Sequence, residues 1–135
     1  MTRQHEGGCL CKAVRYQTSE PAKFSSLCHC RSCQRATGSP VAGFVGVNAE
    51  NFVVLAGELA IYKSSPGVRR GFCRKCGTSL TFEGAPWPGE THIFTATLDD
   101  PTALPPGVHT MMADNIDWFI TDDDLTQRSG FGSNP

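Results

Sequence analysis

The chain has no apolar run approaching the ~20 residues that a bilayer-spanning helix requires, which excludes a transmembrane helix. It also has almost no net charge, since 12 Lys and Arg against 13 Asp and Glu leave a formal −1. That balance provides no global attraction to nucleic acid or to an anionic membrane, and neither is expected as a partner. The opening Met1-Thr2-Arg3-Gln4-His5-Glu6 lacks the apolar stretch and small-residue cleavage site of a secretory leader, so a cytoplasmic location is expected. Internal repeats and low-complexity segments are absent as well, which excludes a solenoid. Oligomeric state is left open.

Short β-like runs are abundant. They fall at 13–18, 24–27, 41–47, 52–55, 59–62, 68–72, 79–82 and 92–97, with a final one near 108–112. Ser64-Ser65-Pro66-Gly67 and Gly84-Ala85-Pro86-Trp87-Pro88-Gly89 read as hairpin connections between them. Only Arg31 to Thr37, followed by Gly38, has the pattern of one or two helical turns with a glycine stop. The expectation is one mainly β domain over residues 1–135, with His5 in a mobile start and the tail fraying from about residue 126.

Cysteine is the other surplus. Seven cysteines form three tight groups, Cys9-Leu10-Cys11, Cys28-His29-Cys30-Arg31-Ser32-Cys33 and Cys73-Arg74-Lys75-Cys76. A disulfide framework is the competing explanation, but an odd count leaves one thiol over, and the expected compartment is reducing. Two thiolates this close in sequence converge more readily on one ion. Structural zinc takes four ligands and catalytic zinc commonly three, leaving a position for water or substrate; seven divides accordingly.

Cys73-Arg74-Lys75-Cys76-Gly77 has the spacing of a zinc knuckle, with a glycine able to take positive φ after the second thiolate. Its natural partner is the pair Cys9 and Cys11. Cys28, Cys30 and Cys33 then form their own group: Cys28 and Cys30 point the same way in extended chain, and the start of a helix returns Cys33 toward them. Free amides at that helix start favour the thiolate. His29, between two candidate ligands, should face away from them. Three alternatives stay open: His29 or another histidine closes a second structural site, the second cluster is weakly loaded, or its sulfurs serve redox sensing or zinc storage.

Three segments carry a family resemblance: Gly8-Cys9-Leu10-Cys11-Lys12-Ala13-Val14-Arg15-Tyr16, Cys28 through Ser39, and Phe72-Cys73-Arg74-Lys75-Cys76-Gly77-Thr78-Ser79-Leu80. In order and spacing they resemble the glutathione-dependent formaldehyde-activating enzyme family, which also contains centromere protein V. The resemblance implies a zinc-bearing β-tent of short antiparallel strands. It implies Cys9, Cys11, Cys73 and Cys76 as the structural zinc site, and Cys28, Cys30 and Cys33 as the catalytic one. It further implies a carbon–sulfur lyase that joins glutathione's sulfur to formaldehyde, giving S-hydroxymethylglutathione. Arg31, Arg35, Arg69 and Arg70 are the expected partners of glutathione's two carboxylates, and Phe44, Trp87 and Trp118 the candidate pocket walls. A non-catalytic zinc module that binds another protein or nucleic acid, the latter disfavoured by the near-neutral charge, and a family member using another thiol, another carbonyl or neither, are the rival functions. Lys12 departs from the family pattern, standing where glycine is common, and so does Thr110, standing where an aromatic residue is frequent.

Overall fold

The computed structural model describes residues 3–131. Eleven strands and one α-helix follow one another along the chain, separated by short turns. They are β1 (Gln4–Gly8), β2 (Arg15–Ser19), β3 (Phe24–Cys28), α1 (Arg31–Thr37), β4 (Ala42–Asn48), β5 (Phe52–Ala56), β6 (Leu59–Ser65), β7 (Val68–Cys73), β8 (Ser79–Gly84), β9 (Glu90–Phe94), β10 (Val108–Thr110) and β11 (Thr126–Gln127). The fold is mainly β with one short helix. Among the described residues no helix is long and apolar enough to cross a membrane.

Two sheets organise the chain: a small one in the order β1-β2-β5, and a large one in the order β11-β10-β3-β4-β9-β8-β7-β6. Pairing is antiparallel except where β10 runs parallel to both β3 and β11. The central strand β4 is buried on both faces, which explains its near-continuous apolar sequence Ala42-Gly43-Phe44-Val45-Gly46-Val47. Val45 and Val47, with Ile93 of β9, pack toward Tyr16 and Val14 in the main core. The alternate residues Ala42, Phe44 and Phe94 turn to the opposite face and surround Cys28 and Cys33. Each β4 side chain is therefore assigned by parity either to stability or to the site.

Two strand ends differ from the sequence expectation for local reasons. β9 stops at Phe94 because the Thr97 hydroxyl bonds back to the Phe94 carbonyl at 2.7 Å, turning Thr95–Thr97 into a 3₁₀ turn. β10 stops at Thr110 because Met111 takes left-handed φ, 55°. The expected mobile start is instead β1, in which His5 lies within 2.8 Å of the Glu20 carboxylate. The expected fraying from residue 126 is also corrected up to Phe131. Thr126 and Gln127 pair with β10, and the Arg128 amide donates to the His109 carbonyl at 2.9 Å. Residues 132–135 lie outside the described part.

Candidate active site

Cys9 and Cys11 occupy the turn between β1 and β2, while Cys73 ends β7 and Cys76 lies in the turn to β8. Gly77 makes that second turn possible. Its φ of 79° suits glycine, and its amide donates to the Cys73 carbonyl at 2.7 Å. The four sulfurs lie within 4.8 Å of one another, with Cys9 to Cys11 at 3.6 Å and Cys11 to Cys73 at 3.7 Å. Tetrahedral bonds of ~2.3 Å to zinc require sulfur separations of about 3.8 Å, so the cluster fits such an ion and is far too open for disulfides. All seven cysteines are free thiols. The Thr78 hydroxyl, 3.2 Å from Cys76 Sγ, leads the effects that lower that thiol to about 5, favouring the ligating form.

The β1–β2 turn stores backbone strain at Lys12, whose φ is 69°. An L residue with a β-carbon is disfavoured there by about 1 kcal/mol or more. Lys12→Gly is accordingly expected to raise stability by about 1 kcal/mol, reduced in part by the extra freedom of glycine in the unfolded chain. Denaturant unfolding at fixed zinc concentration measures it, and an unchanged or lowered midpoint would refute the strain argument.

The second cluster is built by the passage from β3 into α1. Cys28 ends the strand and Cys30 is the N-cap of the helix, its Sγ accepting the Cys33 amide at 3.3 Å. The three sulfurs again lie within 4.8 Å of one another, a spacing that suits an ion with three protein ligands. Hydrogen bonds from the Cys28 and Cys33 thiols hold the Cys30 thiol far below its ordinary range, so Cys30 is the first of the three to ionise. The neighbouring Cys33 thiol is pushed up by the same sharing of protons with Cys28 and Cys30.

His29 points the other way, fully buried. Its Nε2 lies 2.8 Å from His109 Nδ1, and His109 Nε2 lies 3.0 Å from the Asp123 carboxylate. The His29 amide donates to Thr110, and the Gln34 side-chain amide donates to the His29 carbonyl at 2.8 Å. These contacts immobilise the residue between Cys28 and Cys30. His29 is thus a support of the cluster and not one of its members, which leaves the closed-site alternative without its nearest fourth ligand.

A cavity of about 310 Å³ opens directly onto Cys28, Cys30 and Cys33. Arg70 reaches it from β7, its guanidinium nitrogens 3.9 and 4.0 Å from Cys33 Sγ and its carbon 5.1 Å above the Phe82 ring. A cation there offsets negative charge on the thiolates. Phe24 can lie along the cavity because its partner in β4 is Gly46, where a β-carbon would overlap the ring. Buried His92 stacks on Phe82, and its Nε2 donates to Glu90 at 3.0 Å. Burial leads the effects that hold its pKa below the usual imidazole value, so it lines the cavity as a neutral group.

A sequence model of the glutathione-dependent formaldehyde-activating enzyme family matches residues 4–114. The chain belongs to this family. It is 32% identical over 123 residues to a Halomonas elongata protein named "Putative glutathione-dependent formaldehyde-activating enzyme", covering 84% of this chain and 78% of that one. An uncharacterized lyase of Schizosaccharomyces pombe is 34% identical over 79 residues, 58% of this chain and 57% of its own. A crystal structure of a Rhodobacter sphaeroides protein superposes with a TM-score of 0.61 at 25% identity, covering 70% of this chain and 88% of that one.

Of the four arginines expected to receive substrate in this formaldehyde-activating family member, the cavity takes one. Arg31 is bound to Gln34 at 3.0 Å on the helix surface, Arg35 is exposed on the same helix, and Arg69 pairs with Glu83 at 3.6 Å. Arg69 and Arg70 are neighbours on one strand, so their side chains leave opposite faces, and only Arg70 meets the cysteines. Phe44 and Trp87, two of the three candidate walls, line the cavity. Trp118 does not: it is 70% exposed and packs edge-on against Phe119. Sequence reading missed Phe24, Phe82, Arg128 and Phe131 as cavity residues. The parity of Phe82 with Arg70 across a hairpin was the available signal for one of them; nothing local in the sequence marked the tail residues.

Proposed function

We propose that the three-cysteine site holds zinc with three protein ligands and that the protein is a carbon–sulfur lyase, joining a thiol such as glutathione to a small aldehyde such as formaldehyde. The four-cysteine site would hold a second, structural zinc. The observation that supports this reading is the meeting of an open cavity with three converging sulfurs and, among the described residues, no fourth cysteine, histidine or carboxylate atom in their group. Zinc held there supplies acidity to a thiol, which otherwise ionises near pH 8.5.

The remaining chemistry belongs to the chain. The substrate sulfur bonds to the aldehyde carbon, the carbonyl π pair moves to oxygen, and that oxygen ends with the proton the thiol gave up. Arg70 lies where it can face the developing oxyanion while offsetting the charge of the Cys33 thiolate. Phe44 and Phe82 keep water from the reacting atoms. Seven reduced thiols suit a reducing compartment, and a cytoplasmic location is part of the proposal.

Cobalt substitution tests the open position. Protein loaded with two cobalt(II) ions per chain is expected to change its visible spectrum when a thiol is added, as a further sulfur joins one ion. A spectrum unmoved by saturating thiol would overturn the proposal.

A further inference from the structure

Five aromatic side chains, Phe24, Phe44, Phe82, Trp87 and Phe131, wall the cavity above the three cysteines. They form a continuous apolar surface, with Phe82 and Trp87 centred 5.8 Å apart and Trp87 and Phe131 5.1 Å apart. Charge on the lining is of one sign. Arg70 and Arg128 line the cavity, and among the described residues no Asp or Glu does. The two nearby acids lie elsewhere and are already engaged: Glu90 by His92 and Lys23, Glu83 by Thr91 and Arg69.

The two arginines are not equivalent. Arg70 is taken up by the Cys33 sulfur and the Phe82 face. Arg128 forms no ion pair among the described residues, yet its backbone is pinned at both ends, the amide to His109 and the carbonyl to Met112, at 2.9 Å each. A partly buried cation held beside an apolar wall without a counter-ion is suited to an incoming carboxylate.

Glutathione matches this lining poorly. It carries an ammonium group, for which the cavity offers no acid among the described residues, and two peptide units, for which the lining supplies few polar groups beyond the Ser26 and Thr110 hydroxyls. A flat apolar body with a single carboxylate satisfies both the rings and Arg128.

We infer that the preferred thiol of this site is an aryl-bearing or similarly apolar sulfanyl carboxylate, its ring held by the aromatic walls and its carboxylate by Arg128. The inference rests on the proposed function for the role of the sulfur, but the recognition of ring and carboxylate does not depend on it.

Calorimetric titration of the zinc-loaded full chain separates the two. The probes are 2-sulfanyl-3-phenylpropanoate, its uncharged amide, 3-phenylpropanoate without a thiol, and glutathione. The sulfanyl acid is expected to bind at least about tenfold more tightly than glutathione and than its own amide, as a charge-assisted contact implies. Arg128→Gln should abolish the preference for acid over amide while leaving amide binding in place, which also reports that the variant is folded. Arg128→Lys should recover part of that preference. Glutathione binding as tightly as the sulfanyl acid, or Arg128→Gln weakening acid and amide alike, overturns the inference. If the sulfanyl acid and 3-phenylpropanoate bind equally, the thiol role fails while the recognition of ring and carboxylate stands.

Discussion

Cys73→Ser protein, purified with zinc present, is expected to lose its cooperative fold, and wild-type protein treated with a strong chelator should do the same. Cys73 is 1% exposed and its sulfur is one corner of the four-cysteine cluster. Three of the four sulfurs remain in the variant, but the geometry that matches a tetrahedral ion does not. The cluster ties the β1–β2 turn to the β7–β8 turn, so it closes about half of the chain into one loop. Structural zinc in small domains contributes roughly 10–16 kcal/mol of apparent binding, while a whole domain is stable by only about 5–15 kcal/mol. Loss of this site therefore exceeds what the apolar core can absorb. Far-ultraviolet circular dichroism and amide dispersion in NMR measure the outcome. A variant that melts only a few degrees lower would show that the cluster is not a structural metal site.

Cys30→Ser should behave in the opposite way, remaining folded while losing one zinc and falling on the order of 10²-fold in hemithioacetal formation. The fold survives because Cys30 caps α1 with its sulfur, and serine is a favoured residue in the same role. Activity does not, because the variant lacks one of the three converging sulfurs that would hold the ion. A free thiol at neutral pH is only a few per cent ionised, so most of the nucleophile is lost with the ion. Zinc content and rate must be measured on the same sample at equal protein. Full activity with one zinc missing would remove the three-cysteine site from the reaction.

The strand pattern was legible where alternation and turn residues agreed. β4 through β8 lie within a few residues of the runs read from sequence, and α1 spans Arg31–Thr37 as its pattern required. The strands that escaped notice are those with weak intrinsic preference. β1 reads Gln4-His5-Glu6-Gly7-Gly8 and β11 is only Thr126–Gln127; each exists because a partner strand supplies its hydrogen bonds. The cysteine partition was also readable, since sulfur spacing is a local property of a turn. Substrate recognition was not. Arg31, Arg35 and Arg69 flank cysteine groups in sequence yet face elsewhere, whereas Arg128 comes from a segment read as loose and joins the cavity through β10.

By itself, then, the chain's sequence determined the β class, the single helix, the grouping of its thiols and the family. These follow from period-two patterning, turn chemistry and short ligand spacings, all of which act over a few residues. Tertiary structure alone decided which face of each strand meets the three cysteines, that His29 is spent on His109, and that the cavity is aromatic with an arginine at its wall that forms no ion pair among the described residues. Those features depend on strand order and register, where a shift of one residue exchanges the two faces of a sheet.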